Sequence, residues 1–278
     1  MTGKRQKKQH RRRLPGILML FCVLALVVSP GSPAGIAADS PVERVLPPEP
    51  ETLAAPDMEV EEVLPMEEPA VEEIVEEPWA PVAETAAVED TYFADAAFLG
   101  DSRTEGFYLY SGLKEGDYFY AVGATVESVF TKKVWGPEEN KVPLLDAMNT
   151  EAAYGKIYVM LGVNELGWSK VEVFREQYTK VIERLREDHP GAEIIIQSVF
   201  PVSARQEAKK TYVNNARIQA YNEVIMAMAE ELDCAYVNMS EAVVGEDGCL
   251  RSDLTSDGVH LNIKGCKLWL EYLKTHSI

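Results

Sequence analysis

The chain has 278 residues and a formal net charge of −18. Its four cysteines are too few for a disulfide-dense scaffold, and its four histidines include no His-x-x-x-His or His-x-His pair of the kind that binds catalytic zinc. The charge is unevenly distributed, with +7 over residues 1–38, −16 over residues 39–90 and −9 over residues 91–278. The last segment has no basic stripe with interleaved aromatic residues, so we expect no nucleic-acid partner.

Residues 1–38 have the pattern of an export segment. Seven Lys and Arg residues precede an apolar run over residues 17–28, and small residues around Ala37 follow it. The run has the length of a signal-peptide core, whereas the whole uncharged stretch over residues 14–38 is compatible with an uncleaved membrane anchor. Both alternatives predict an extracytoplasmic protein, secreted or tethered, that contacts the membrane only through this N-terminal segment.

Residues 39–90 are predicted to be a disordered acidic linker. They contain 17 Asp and Glu residues against one Arg, and Pro recurs throughout. Repeated Pro prevents long helices, and repulsion between like charges keeps such a chain extended. The favoured interpretation is a solvated spacer, and an acidic segment that binds cations or a basic partner is the alternative.

Residues 91–278 are long enough for one domain with its own core. Short apolar runs alternate here with helical patterns. We predict strands over residues 96–99, 118–122, 156–161, 193–200 and 234–237, and helices from about residue 104 and over residues 125–135, 171–187, 212–232 and 264–274. This alternation predicts an α/β fold, a flavodoxin-like three-layer sandwich with a central parallel sheet and helices on both faces. In such sheets ligands bind beyond the carboxyl ends of the strands.

A candidate nucleophile and its base lie far apart in the chain. Ser102 follows the first predicted strand, and a serine hydroxyl needs a neighbouring base, usually histidine, to react at neutral pH. Asp257 precedes His260 by three residues, close enough to hold the imidazole in one tautomer. The other three histidines lie in the basic leader, before a proline that ends a helix, and two residues from the C-terminus: His10, His189 and His276. Ser102, Asp257 and His260 are therefore the candidate catalytic residues, and we predict neither a metal nor a cofactor.

Three cysteines fall within the predicted domain: Cys234, Cys249 and Cys266. At most one pair can form, and Cys249 with Cys266 would bracket the Asp257–His260 loop. Free, partly buried thiols are the equally weighted alternative.

Four segments together resemble the SGNH (GDSL-type) hydrolase superfamily. Gly100-Asp101-Ser102 is similar to its first block, Ala121-Val122-Gly123-Ala124 to the second, Gly162-Val163-Asn164-Glu165 to the third and Asp257-Gly258-Val259-His260 to the last. The resemblance spans residues 95–275, and the order of the four blocks makes it specific although each block alone is weak.

The resemblance implies an oxyanion hole made by the backbone N–H groups of Ser102 and Gly123 and the side-chain amide of Asn164. Donors at such a site stabilise the negative charge that acyl transfer places on a carbonyl oxygen. Glu165 departs from the Asp that usually stands in the third block, which puts the geometry of that loop in doubt.

Each motif also has a purely structural interpretation. Ser102-Arg103-Thr104-Glu105 is a capping box, Asn164 is a suitable helix cap, Gly123 suits a tight turn, and Asp257-Gly258 is an ordinary turn sequence. Arg103 has two equally weighted interpretations, contact with an anionic substrate group and exposure to solvent. Three aromatic residues are expected in the core rather than in a pocket: Tyr108, Trp135 and Trp168.

The sequence thus predicts an extracytoplasmic serine esterase that hydrolyses short-chain acyl esters, O-acetyl groups on a cell-envelope or other glycan above all. The domain has little length for a lid, which favours an open site and small-molecule or glycan esters over long-chain lipids. The alternatives are a lysophospholipase, thioesterase or acyltransferase on the same triad, and a non-catalytic glycan-binding module.

Overall fold

The computed structural model describes residues 78–149 and 152–278. Five parallel strands form one sheet in the order β2-β1-β3-β4-β5. Their bounds are Ala96–Gly100 for β1, Asp117–Tyr120 for β2, Lys156–Met160 for β3, Glu193–Gln197 for β4 and Ala235–Val237 for β5. The predicted α/β fold with a central parallel sheet is confirmed.

Eight α-helices connect or flank the strands in the described part of the chain. They are α1 (Ser102–Tyr110), α2 (Ser128–Thr131), α3 (Leu144–Met148), α4 (Val171–Asp188), α5 (Ala204–Glu207), α6 (Asn215–Glu231), α7 (Ser240–Val243) and α8 (Ile263–Thr275). Three short 3-10 turns cover Asp90–Phe93, Glu138–Asn140 and Ser252–Leu254.

A hydrophobic cluster lies on each face of the sheet. One cluster includes the apolar side chains of α4 and α6, among them Phe174 and Ile225. The other includes those of α1 and α8, among them Phe107 and Trp269. The strands between them are almost continuously apolar because both of their faces are covered. No helix in the two described ranges is long and apolar enough to cross a membrane.

The helix predicted over residues 125–135 is wrong in extent, because α2 contains only Ser128–Thr131. Thr125 and Ser128 bond reciprocally, each side-chain oxygen accepting the other's backbone N–H, which starts the helix late. Trp135 instead pairs with Val142 in an isolated antiparallel bridge. The β-branched residues that crowd this stretch favour extended backbone over a longer helix.

The chain packs against the domain before the predicted boundary at residue 91. The indole N–H of Trp79 donates to Cys234 O at 3.0 Å, Val82 N–H donates to Tyr236 O at 2.9 Å, and Val88 N–H donates to Lys274 O at 3.0 Å. The end of the predicted linker is therefore ordered on the domain, because an aromatic ring and backbone donors find partners there. The predicted leader over residues 1–38 and the linker up to residue 77 lie outside the described residues.

Candidate active site

The nucleophile candidate lies where β1 ends and α1 begins. All five residues of β1 are buried, and Asp101 then caps α1 by accepting the Arg103 N–H at 2.8 Å. Ser102 is the first residue of α1, so its backbone N–H has no partner within the helix. The side chain that caps α1 is therefore that of Asp101 and not that of Ser102, so the Ser102 hydroxyl can serve as a nucleophile.

The three predicted catalytic side chains form one chain of hydrogen bonds. Ser102 Oγ lies 2.9 Å from His260 Nε2, and His260 Nδ1 lies 2.7 Å from Asp257 Oδ2. This is the order of contacts in which a carboxylate orients an imidazole and the imidazole takes the proton of a hydroxyl.

The Asp257–His260 loop is a small hydrogen-bonded unit. Asp257 Oδ1 accepts the backbone N–H groups of Val259 and His260, each at 2.8 Å. Thr255 Oγ1 accepts the Gly258 N–H at 2.9 Å and donates to His260 O at 2.7 Å. Gly258 has a φ of +93°, a conformation that L side chains rarely adopt. The loop fixes the imidazole before any substrate arrives.

Asp257 is ionised at neutral pH. Partial burial would raise its pKa, but hydrogen bonds from the backbone and ring of His260 and from the Val259 N–H outweigh that effect and lower the pKa to about 2. A fixed anion at this position stabilises the imidazolium that forms when His260 accepts a proton.

Gly123 lies in the turn after β2, at the same edge of the sheet as Ser102. Its φ is +73°, and a side chain built there would meet no atom within 4 Å, so the turn is open to solvent. The neighbouring Ala124 N–H donates to Ala121 O at 3.0 Å. The backbone N–H of Gly123 therefore lies in a turn with left-handed backbone geometry, which glycine adopts without strain.

Asn164 bridges the Ser102 turn and the Gly123 turn. Its Nδ2 donates to Ala124 O at 2.8 Å and to Asp101 Oδ2 at 3.2 Å. Both amide hydrogens are engaged, so an oxyanion receives one of them only by replacing the longer bond to Asp101. The structure therefore brings Asn164 to the predicted oxyanion hole. Its bond to Ala124 O also holds the neighbouring turn in place.

Glu165 is a buried acid beside this site, and the sequence did not predict its burial. It is 0% exposed, and its Oε1 accepts the Val126 N–H at 2.7 Å. Burial, strengthened by the charge of Asp101, raises its pKa to about 8. The raised pKa favours the protonated form of Glu165 at neutral pH.

Both predicted placements of Arg103 are wrong. Its side chain is buried, with NH1 donating to Phe200 O at 2.9 Å and the guanidinium 3.9 Å from the Phe200 ring centroid. Burial lowers its pKa to about 10, while the charges of Asp101 and Asp257 oppose that effect. Arg103 is a buried cation close to the Ser-His-Asp residues. The position of Arg103 in the helix pattern of the sequence did not indicate that it would be buried.

The aromatic residues divide between core and surface. Trp168 is half-buried against the hydrophobic cluster of α4 and α6. Tyr108 is 47% exposed, contrary to the core prediction, and its ring centroid lies 5.6 Å from that of Tyr120. Trp135 is also half-buried, and its ring centroid lies 5.8 Å from that of Tyr120. Tyr120 is the register partner of Gly100, so this aromatic surface adjoins the Ser102 turn.

Two of the cavities in the described residues have volumes of about 460 Å³ and 570 Å³. The first is lined by residues of the catalytic loop such as Thr255 and Gly258, and the second by residues of α6 such as Asn222. Neither is lined by Ser102 or His260. The three cysteines of the domain are free thiols, so the predicted alternative of a Cys249–Cys266 bridge is not adopted.

A parallel sheet with a Ser-His-Asp hydrogen-bond chain at its carboxyl edge defines a serine hydrolase arrangement. A family model of GDSL-like lipases and acylhydrolases matches residues 98–268. The chain therefore belongs to the GDSL-like lipase/acylhydrolase family, and it is an ester hydrolase. Among curated proteins the comparison found no match.

Solved structures agree on the fold. A candidate platelet activating factor from Streptococcus pneumonia is 24% identical, with a TM-score of 0.55, over 65% of this chain and 82% of its own. A GDSL-like lipase from Parabacteroides merdae is 15% identical, with a TM-score of 0.51, over 71% and 99%. At these identities the likeness is one of fold alone.

Proposed function

We propose that the protein is an extracytoplasmic serine esterase that removes short acyl groups, principally O-acetyl groups carried by a glycan. The observation that carries the proposal is the continuous contact from Ser102 Oγ through His260 to Asp257. The chemistry of that contact favours covalent catalysis, in which a hard hydrolysis is divided into two easier steps.

In the first step His260 Nε2 takes the Ser102 proton as Oγ bonds to the ester carbonyl carbon. The carbonyl oxygen becomes an oxyanion, which the N–H groups of Ser102 and Gly123 and the Asn164 amide stabilise. When the intermediate collapses, the bond to the alcohol breaks and His260 returns the proton to the leaving oxygen.

In the second step water attacks the acyl-serine. His260 accepts a proton from the water, the oxyanion forms again at the same donors, and the carboxylic acid leaves as Ser102 Oγ is reprotonated. The ionised Asp257 stabilises the imidazolium in both steps.

The form of the site supports a short acyl group. Neither of the two cavities described above is lined by the nucleophile or its base, which favours an open site and a short acyl group. On the alcohol side, the exposed rings of Tyr108 and its neighbours offer flat apolar surface with phenolic hydroxyls. Such a surface suits a sugar ring, which has an apolar C–H face and a polar rim.

The location follows from the N-terminal pattern. Seven positive charges before an uncharged run favour export, with the catalytic domain held outside the cytoplasm on an acidic spacer or released. Extraction of the native protein from cells with and without detergent separates an anchored form from a secreted one.

The decisive experiment compares the full chain with Ser102→Ala on p-nitrophenyl acetate and p-nitrophenyl palmitate. Ser256→Ala is the matched control, because this serine is exposed and lies in the catalytic loop outside the triad. We expect the parent and the control to hydrolyse the acetate and Ser102→Ala to be inactive. Equal rates for the parent and Ser102→Ala would eliminate the mechanism, and a preference for palmitate would favour a lipase. Acetate release from acetylated glycans, with and without a sugar acceptor, then distinguishes a hydrolase from a transferase.

A further inference from the structure

Two consecutive side chains hold the turn that carries Gly123. Asn164 Nδ2 donates to Ala124 O at 2.8 Å, and Glu165 Oε1 accepts the Val126 N–H at 2.7 Å. The two groups contacted, the Ala124 carbonyl and the Val126 N–H, lie two residues apart and shortly after Gly123. Asn164 donates to the turn and Glu165 accepts from it. Because the two bonds act at two points, they fix both the position and the orientation of the turn.

Glu165 is itself held rigidly. Its backbone carbonyl accepts the Tyr221 hydroxyl at 2.6 Å and the Trp168 N–H at 2.8 Å. The side chain is 0% exposed, and its Oε2 has no hydrogen-bond partner among the described residues. Burial there disfavours the ionised carboxylate more strongly than the neutral acid.

Backbone N–H groups of Val126, Asn164 and Glu165 itself favour an anion on Glu165, but burial and the charge of Asp101 outweigh them. Asp101 approaches from the end of β1 and disfavours a second anion, while Tyr178 on α4 and Tyr221 on α6 are neutral phenols. Two cations lie nearby but have other partners. Arg103 interacts with Asp101 and Phe200, and Arg217 donates to Leu166 O.

We propose that Glu165, as a neutral acid, is a positioning residue that holds the Gly123 turn in the shape that receives the oxyanion. This inference rests on the proposed esterase mechanism and names a further residue on which it depends. Burial raises the pKa of Glu165 to about 8, which is consistent with a neutral acid under ordinary conditions.

The arrangement has a consequence at alkaline pH. Loss of the Glu165 proton places a second buried anion near Asp101, where Arg103 and Arg217 already have other partners. The turn then relaxes or admits water, and the N–H of Gly123 moves away from the oxyanion. Activity therefore decreases as the pH rises through about 8, and the decrease appears in kcat because the contact is made in the transition state.

The test measures kcat and KM on p-nitrophenyl acetate from about pH 6 to about pH 10, with Ser102→Ala rates subtracted as background. Glu165→Gln keeps the acceptor for Val126 N–H and has the shape of the neutral acid, but it does not titrate. We expect it to match the parent at neutral pH and to lack the alkaline decrease. Glu165→Met has similar size but no acceptor, and we expect kcat to fall about tenfold or more at neutral pH with little change in KM.

Two outcomes overturn the proposal. One is a Glu165→Gln enzyme with the same alkaline decrease as the parent, and the other is a folded Glu165→Met enzyme with the parent kcat. Circular dichroism establishes whether each variant folds, and the Gln variant alone decides if the Met variant does not. Failure of the proposed esterase function is recognised separately, as equal rates for the parent and Ser102→Ala.

Discussion

Ser102 Oγ and His260 Nε2 lie 2.9 Å apart although 158 residues separate them in the chain. The contact depends on the packing of α1, which begins at Ser102, against α8, which begins shortly after His260. Their rings meet at Phe107 and Trp269, with centroids 4.6 Å apart. Gly106 on α1 faces Cys266 on α8 across the same interface. The nucleophile and its base are thus positioned by one helix–helix interface.

The first prediction concerns the acid of the triad. Asp257→Asn keeps the size of the side chain but replaces the anion that accepts the His260 Nδ1 proton. The amide favours the wrong tautomer and no longer stabilises imidazolium, so we expect kcat on p-nitrophenyl acetate to fall about 10³-fold to 10⁴-fold with little change in KM. Steady-state kinetics at neutral pH measure the effect.

Asp253→Asn is the matched control for that variant. Asp253 is exposed in the same loop and pairs with Lys264 at 2.6 Å and Arg251 at 3.0 Å. Surface ion pairs contribute little to stability, so we expect an enzyme within about twofold of the parent. An Asp257→Asn enzyme as active as this control would remove Asp257 from the mechanism.

The second prediction concerns stability and pH. In the folded protein the pKa of Glu165 is raised to about 8 from an unfolded value near 4.5, so between these values the folded state binds the extra proton. Unfolding releases it, and the contribution of Glu165 to stability therefore decreases as the pH rises through this window. Urea unfolding at several pH values measures the slope. We expect Glu165→Gln to unfold with a weaker dependence on pH over this range, and an unchanged dependence would contradict the assignment.

Much of the fold was predictable because parallel strands and amphipathic helices have strong patterns. β3 and β4 are short β-rich apolar runs, and α4 has polar residues on one face only, so their identities followed directly. Ser102, Gly123 and Asn164 meet at one sheet edge, because the turns after the parallel strands β1, β2 and β3 share that edge.

The parts that were not predictable depend on tertiary contacts. Arg103 belongs to a residue type that is almost always exposed, and only the fold shows that it is covered by Phe200. Glu165 is an acid in sequence and a neutral group in the structure, because burial decides its protonation. Trp79 lies in a stretch with the composition of a spacer, and its contact with Cys234 O exists only once β5 has formed.

The third prediction concerns the oxyanion donor. Asn164→Ala removes the amide that we propose as an oxyanion donor and also the bond to Ala124 O. We expect kcat on p-nitrophenyl acetate to fall about 10²-fold to 10³-fold, as for loss of one oxyanion donor elsewhere. Asn149→Ala is the control, because that amide donates to Asp188 on an exposed part of the surface. Comparable kcat values for the two variants would remove Asn164 from the proposed oxyanion hole.

The last prediction concerns the alcohol side of the substrate. Tyr108 is 47% exposed beside Tyr120, whereas Tyr110 on the same helix is 45% exposed and makes none of these ring contacts. If the aromatic surface binds a sugar, Tyr108→Ala lowers kcat/KM on a mono-O-acetylated methyl glycoside several-fold and leaves ethyl acetate hydrolysis unchanged. A lost ring contact is worth about 1 kcal/mol, which corresponds to about a fivefold change.

Tyr110→Ala makes this comparison specific, because it removes a ring of equal exposure from the same helix. We expect it to behave like the parent on both esters. Because ethyl acetate has no ring to stack, a loss on both esters with Tyr108→Ala would indicate a disturbed α1 rather than a lost sugar contact. Equal losses for the two tyrosine variants on the glycoside would likewise assign the effect to the helix, and the substrate would then be recognised elsewhere on the open surface around Ser102.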